Sequence, residues 1–437
     1  MVSDFRVTLS SARRLRPIVI ATSLVSCLEI FGFTVFALFA GWIGGQFFPA
    51  TDPMVSLLLA VSTFGVGFLF RPLGALLIGA YADRVGRRAA LSLSIWLMVA
   101  GMVTVAACPP YSVMGLMAPV TILVGRLLQG LAAGGEIGAA AAYVMEAGPV
   151  SRRGYLLSWQ LVSQAGAVLI GALLGALLSR SLSAESLATW GWRIPFVIGL
   201  LIAPLGWYVR RRLPEDAVRA TSAGRHRVPL VELCGKHGKT LALATLTIAV
   251  RTVPAYTISY FMPTYLTHVM HLPAVTGFLA SAVSALVLML VAPLAGRLAD
   301  RLPRRKPLLL LASGMTTLLV YPVFHVLTHA PDTVTVLAAV ALMSVFVAPC
   351  SGVGTVLVLE ALPAQVRASG VAVSFALGVA VFGGTAQPIV TSLIKWTGDP
   401  MAVAWYVAPA CLVSFCALLF FPERRRQLEL TPETSVR

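Results

Sequence analysis

Apolar stretches of about 20 residues or more, separated by polar breaks, run along almost the whole chain. A helix needs about 20 apolar residues to cross the hydrocarbon core of a bilayer, so each stretch predicts a membrane-spanning helix. Twelve are predicted, over 18–45, 55–82, 88–108, 115–147, 154–179, 191–210, 239–268, 273–299, 306–328, 333–361, 368–395 and 401–421. Several exceed the minimum, which implies tilt or extension beyond the membrane. Only one hydrophilic break is long. It covers 211–238 and contains Arg211, Arg212, Glu215, Asp216, Arg219, Arg225, Arg227 and Lys236. It is the predicted linker between a six-span bundle over 1–210 and another over 239–421, with a tail over 422–437.

Two patterns recur across that linker. The run Gly79-Ala80-Tyr81-Ala82-Asp83-Arg84-Val85-Gly86-Arg87-Arg88 returns as Gly296-Arg297-Leu298-Ala299-Asp300-Arg301-Leu302-Pro303-Arg304-Arg305, 217 residues later. Glu146-Ala147-Gly148-Pro149, leading to Arg153-Gly154, returns as Glu360-Ala361-Leu362-Pro363, leading to Arg367 and Gly370, at an offset of 214. Both offsets are about half of 437. The expected fold is all-α: twelve transmembrane helices in two six-helix bundles related by a parallel pseudo-two-fold repeat, a plan that builds secondary transporters.

Composition agrees. The chain is 58% hydrophobic and 11% charged, with a mean hydropathy of +0.87. Soluble domains carry about 25% charged residues, so the solvent for this surface is a lipid bilayer. The net charge of +16 would suit a nucleic-acid binder, but its placement excludes that reading. Of 33 Lys and Arg, 27 fall in the termini, the loops on one side and the adjoining span ends. Arg180, Arg193 and Lys395 lie near the other side. The positive-inside rule then puts both termini in the cytoplasm of a bacterial-type inner membrane. The amino-terminal arginines precede an apolar run longer than the ~7–15 residues of a signal sequence, which reads as a first membrane helix. The six cysteines form no C-x-x-C or Cys/His metal pattern.

The chain resembles the major facilitator superfamily, and within it the metabolite:proton symporters. The resemblance rests on Gly79 to Arg88, Phe64 to Gly74 (FGVGFLFRPLG), Gly125 to Gly138 (GRLLQGLAAGGEIG), Arg153-Gly154 with Ser158-Trp159-Gln160, Trp190 to Phe196 (WGWRIPF), Arg210 to Pro214 (RRRLP) and Phe382 to Thr385 (FGGT). Leu28 to Phe33, Pro263-Thr264-Tyr265 and Lys395 to Asp399 look most like the citrate/tricarballylate branch. The resemblance implies import of a small organic solute with protons; no other cofactor is expected, and a functional monomer is the default. It also implies that Gly79, Asp83, Arg84, Gly86, Arg87 and Arg88, with Asp300 and Arg301 in the second copy, hold helix ends together as a conformational gate. One departure stands out: Gly32 occupies the place where the family usually has an acidic residue.

A charge at mid-bilayer costs roughly 2.5–3.5 kcal/mol or more, so it marks a cavity or a partner. On a helical rise of ~1.5 Å per residue, Glu29, Arg71, Arg126 and Arg251 all fall near the midplane, and Glu136 lies further along the fourth span. Arginine forks match carboxylates, so the excess of arginine favours an anionic substrate. Arg126 and Arg251, one from each half, are the expected carboxylate contacts; the structural alternative is a fixed ion pair with Glu29 or Glu136 for Arg126, and an acidic group or backbone carbonyls near Pro254 for Arg251. Arg71 is either a third contact or a packing partner. Gln129, Gln160, Gln164 and Tyr256 are further candidates, the second and third sharing one helix face. No histidine is central, so Glu29 and Glu136 are the expected proton-coupling groups, with buried hydrogen-bonding as the alternative. Competing functions are import of betaine, proline or a shikimate-like acid, and, more remotely, a membrane sensor of a metabolite. No nucleophile or metal constellation suggests an enzyme.

Overall fold

The computed structural model of the chain describes residues 27, 30–134, 149–200, 204, 230–329 and 332–423. Eight of its helices are long and apolar enough to cross a membrane, a bent pair makes a ninth, and three shorter apolar helices occupy the third, fourth and sixth predicted spans. In chain order they are α1 (Ile30–Leu38 with Ala40–Phe47), α2 (Pro53–Tyr81), α3 (Arg87–Ala107), α4 (Met117–Ala133), α5 (Arg153–Ser181), α6 (Gly191–Leu200), α7 (His237–Val269), α8 (Ala274–Arg301), α9 (Lys306–His329), α10 (Thr333–Ala361), α11 (Ser369–Thr397) and α12 (Ala402–Phe420). Where they fall on described residues, the predicted spans and these helices agree to within a few residues; 18–26 and 28–29 of the first span, 135–147 of the fourth, and 201–203 and 205–210 of the sixth lie outside the described residues. The helix entering α7 starts at Leu230, inside the stretch read as linker; 211–229 lies outside the described residues.

Local chemistry sets several helix ends. Asp52 caps α2 by accepting from the Met54 N–H at 2.8 Å, with Pro53 at the first position. Asp332 caps α10 through Thr335 N–H at 3.0 Å. Gly86 starts α3 at φ 103°, a left-handed angle that favours glycine over other residues.

Three features depart from uniform helices. The first span bends by 71° at Phe39. α7 contains two π-helical turns, Tyr256–Phe261 and Tyr265–Val269, close to Pro254 and Pro263. α11 contains a third, Val379–Gly384, which includes most of the FGGT motif. Proline removes an i→i−4 bond and its ring pushes on the preceding turn, which loosens α7 where it meets the middle of the molecule.

The quoted glycine motifs are explained by packing. α2 and α4 touch backbone to backbone: a Cβ on Gly130 would stand 2.2 Å from the Gly67 carbonyl oxygen, and one on Gly134 would stand 2.0 Å from that of Arg71. Small residues permit this approach, and with it dispersion contact between helices that lipid does not otherwise drive together. Gly130→Ala is expected to separate the two helices at a cost of about 1–3 kcal/mol, read as a lower melting temperature in detergent.

The WGWRIPF motif is a staple at the end of the first bundle opposite the basic loops. Arg193 donates from Nε to the Ala106 carbonyl (3.1 Å) and from Nη2 to the Cys108 carbonyl (2.9 Å), satisfying the last turn of α3. Trp192 is fully buried and its indole N–H donates to Gln46 of α1 at 3.1 Å.

The two halves share one hydrophobic core, which runs from Phe31 and Phe36 through Phe278 to Val340 and Val407. Helices α5 and α8 make the largest contact between them. At the basic end Gly154 and Gly296 lie against each other, with a Cβ on either 2.6–2.7 Å from the other's carbonyl oxygen. At the opposite end Gly175 lies against the Phe278 ring.

Candidate functional site

A cavity lies where the halves meet, and its lining comes from both. From the first half come Ile30, Arg71, Leu161 and Gln164; from the second come Arg251, Tyr256, Ser259, Tyr260, Ser351 and Phe375. Four of the residues expected from the sequence, Arg71, Arg251, Gln164 and Tyr256, therefore share one space.

Arg251 follows directly from the shape of α7. It precedes Pro254 and the first π turn, and its guanidinium reaches across to α10. Nη1 donates to Thr355 Oγ1 at 3.0 Å and to the Ser351 carbonyl at 3.5 Å. Its Cζ sits 4.8 Å from the centre of the Phe375 ring. All three partners are neutral. Thr355 and Ser351 stand four residues apart on α10, on one helix face; that spacing was available in the sequence, and these two residues were missed.

Arg71 is 4% exposed, and its Cζ lies 4.2 Å from the Phe68 ring centre and 4.5 Å from that of Phe33. Phe64, Phe68, Tyr256 and Tyr260 form a row of rings of which the two tyrosines line the cavity, with centroid distances of 4.9 Å for Phe64–Phe68, 5.4 Å for Phe68–Tyr256 and 5.0 Å for Tyr256–Tyr260.

Arg126 is placed differently from the expectation. It is not in the cavity lining but fully buried beside it. Its Cζ lies 4.5 Å from the Phe33 ring centre, 4.4 Å from Phe36 and 5.4 Å from Phe64. Nη1 donates to Gln129 Oε1, while Nε and Nη2 have no hydrogen-bond partner, nor has Gln129 Nε2. Gln160 also stands off the cavity, half-buried with its amide nitrogen unpartnered. Glu29 and Glu136 lie outside the described residues. A Cβ on Gly32 would meet the Met102 thioether of α3 at 3.3 Å. An acid at that position would therefore point into the first bundle rather than the cavity.

The second copy of the repeated turn joins the two halves. The Asp300 carboxylate, at the end of α8, accepts from the backbone N–H groups of Gly154 and Tyr155, each at 2.8 Å, at the start of α5. It also faces Arg305 Nη2 at 3.0 Å. Arg305 in turn pairs with Glu360, which Arg153 approaches at 3.8 Å. One acidic cap thus holds the two halves together at the basic end, favoured by the positive end of the α5 dipole. Arg301 is exposed, and Arg305 makes the contact expected of it. In the first copy Gly79 is half-buried and Arg84 exposed; the side chains of Asp83, Arg87 and Arg88 are outside the description.

At the other end Lys395 Nζ lies 3.2 Å from Asp52 and again ties the halves. The Met54 N–H, and then Lys395, hold the Asp52 carboxyl below its ordinary value of 3.8. A lowered carboxylate pKa gives stability that is present above the ordinary value and lost as pH falls through the lowered one. This tie is therefore constant between about pH 5 and 8. Asp52→Asn is expected to leave the shape of the uptake–pH curve in that window unchanged, measured in proteoliposomes; a displaced curve would make Asp52 part of proton coupling.

A sequence profile described as Major Facilitator Superfamily matches residues 22–380 and 279–436. The chain belongs to the Major Facilitator Superfamily. Among curated relatives of this facilitator, the citrate-proton symporter of Salmonella typhi is 36% identical over 401 residues, covering 90% of this chain and 91% of the relative. The citrate-proton symporter of Klebsiella pneumoniae is 33% identical, covering 91% and 89%. The alpha-ketoglutarate permease of Escherichia coli K12 is 31% identical, covering 98% and 99%. Among solved structures, a D-xylose-proton symporter superposes with a TM-score of 0.75 at 18% identity, covering 93% of this chain and 96% of the other. That likeness shows the fold: twelve helices in two bundles, in a multi-pass membrane protein.

Proposed function

We propose that this facilitator imports a small organic anion with two or three carboxylates, citrate or a close relative, together with protons. The observation that carries the reading is Arg251. It faces a cavity between the halves and, among the described residues, is held by two neutral oxygens and an aromatic face, which leaves its charge for a ligand. A guanidinium fork offers a carboxylate two parallel hydrogen bonds in a water-poor setting. Arg71 adds a second cation from the other half. The citrate-proton symporters and the permease above support the same substrate class.

Transport follows by alternating access. The Asp300 network closes the basic end, which the positive-inside distribution assigns to the cytoplasm of the inner membrane. The Asp52–Lys395 pair closes the other. Rocking of the halves exchanges one closure for the other around the fixed site. Glu29 and Glu136 are the proposed proton carriers.

The row of rings favours a second reading, since such faces bind the quaternary ammonium of betaine. Against it, the protein's own guanidinium of Arg71 already sits 4.2 Å from the Phe68 face. Uptake of labelled citrate into proteoliposomes, with and without an inward proton gradient, tests both. Gradient-stimulated uptake blocked by tricarballylate is expected. Uptake of betaine or proline instead of citrate would overturn the carboxylate reading.

A further inference from the structure

We infer that Phe33 is a shutter over a second carboxylate pocket, formed by Arg126 and Gln129, that makes the transporter select di- and tricarboxylates over monocarboxylates. The inference rests on the carboxylate reading of the Arg251 cavity.

Three buried donors lie on two adjoining side chains: Nε and Nη2 of Arg126 and Nε2 of Gln129. None has a hydrogen-bond partner among the described residues. Arg126 is 0% exposed. Buried donors are nearly always satisfied, and a buried guanidinium more than most. What surrounds it are the rings of Phe33, Phe36 and Phe64, whose negative faces stand in weakly for an anion. A cluster with donors to spare and, among the described residues, no carboxylate is what a charge-assisted pair would complete.

Phe33 decides access. Its ring centre is 4.5 Å from the guanidinium carbon of Arg126 and 4.5 Å from that of Arg71, and Arg71 lines the cavity where Arg126 does not. The ring therefore stands between the Arg71 guanidinium, which lines the cavity, and the Arg126 guanidinium behind it. Gly67 leaves the space that the ring occupies: a Cβ there would lie 3.2 Å from Phe33 Cε1 and 3.7 Å from Arg126 Nη2. Moving the ring forfeits its contacts with two cations, which lowers apparent affinity by the fraction of time the pocket is shut. A ligand whose single carboxylate sits on Arg251 gains nothing by opening it. A ligand with a further carboxylate gains the Arg126 fork.

The test is competition against labelled citrate on the purified full-length protein in detergent, with tricarballylate, glutarate and butyrate as probes. Arg126→Gln is expected to weaken tricarballylate at least tenfold while leaving butyrate within twofold. Phe33→Leu removes the ring faces but keeps an apolar side chain. It is expected to tighten tricarballylate several-fold with butyrate unchanged, and it carries the test alone if Arg126→Gln does not fold. Parallel shifts of all three acids in either variant, or no shift in Phe33→Leu, would overturn the second pocket while leaving the carboxylate site standing. Failure of the wild-type protein to bind any of the three would instead remove the carboxylate reading itself, and the pocket with it.

Discussion

Replacing Arg251 with glutamine is expected to reduce citrate uptake in proteoliposomes by about a hundredfold or more, with the protein still inserted and folded. Truncating one partner of a buried, hydrogen-bonded charge pair costs about 2–5 kcal/mol, or about 30-fold to several thousandfold in affinity. Glutamine keeps a donor for Thr355 and the Ser351 carbonyl, so the α7–α10 contact survives while the fork and its charge do not. Folding is spared because the partners left behind are neutral oxygens, which have no uncompensated charge to bury. Uptake within threefold of wild type would take Arg251 out of the substrate site.

Asp300→Asn should leave citrate binding within threefold yet slow transport at least tenfold. The carboxylate meets two backbone N–H groups of α5 and the Arg305 guanidinium, whose side chain is 4% exposed. Removing one member of a buried ion network typically costs about 3–5 kcal/mol because the remaining charge stays buried. Here that cost falls on the state in which the basic end is closed. The equilibrium should shift away from that state by about two to four orders of magnitude. Ser158, fully buried on α5 against Gly352, reports the change. With the native cysteines replaced, alkylation of Ser158→Cys should accelerate at least tenfold when Asp300→Asn is added. Unchanged alkylation and unchanged transport would show that the network is not a gate.

Much of this architecture is legible in the sequence because its causes are local. Bilayer thickness sets the length of an apolar run, so the span ends that fall on described residues could be read within a few residues. The duplicated turn is legible because both copies keep their Asp and their basic residues. The Asp300 contact illustrates the limit. Its type was expected, but its partners, backbone groups 145 and 146 residues away, carry no side-chain signature. Arg305 rather than Arg301 meets it because the chain leaves helix at Leu302 and turns back before Lys306.

The midplane arginines divide along the same line. Rise per residue is a property of one helix, so the depth of Arg71, Arg126 and Arg251 could be counted from the sequence. Which way each points depends on the rotation of its helix against its neighbours. Gly67, Gly130 and Gly134 draw α2 and α4 together, Phe33 fills the space between Arg71 and Arg126, and Pro254 loosens α7 above Arg251. The sequence by itself determined a duplicated twelve-helix membrane protein with more arginine than acid at its centre, because hydropathy and charge act on each segment alone. Only the tertiary structure decided that Arg251 and Arg71 face one cavity while Arg126 is buried among Phe33, Phe36 and Phe64, because that choice is made by packing between segments.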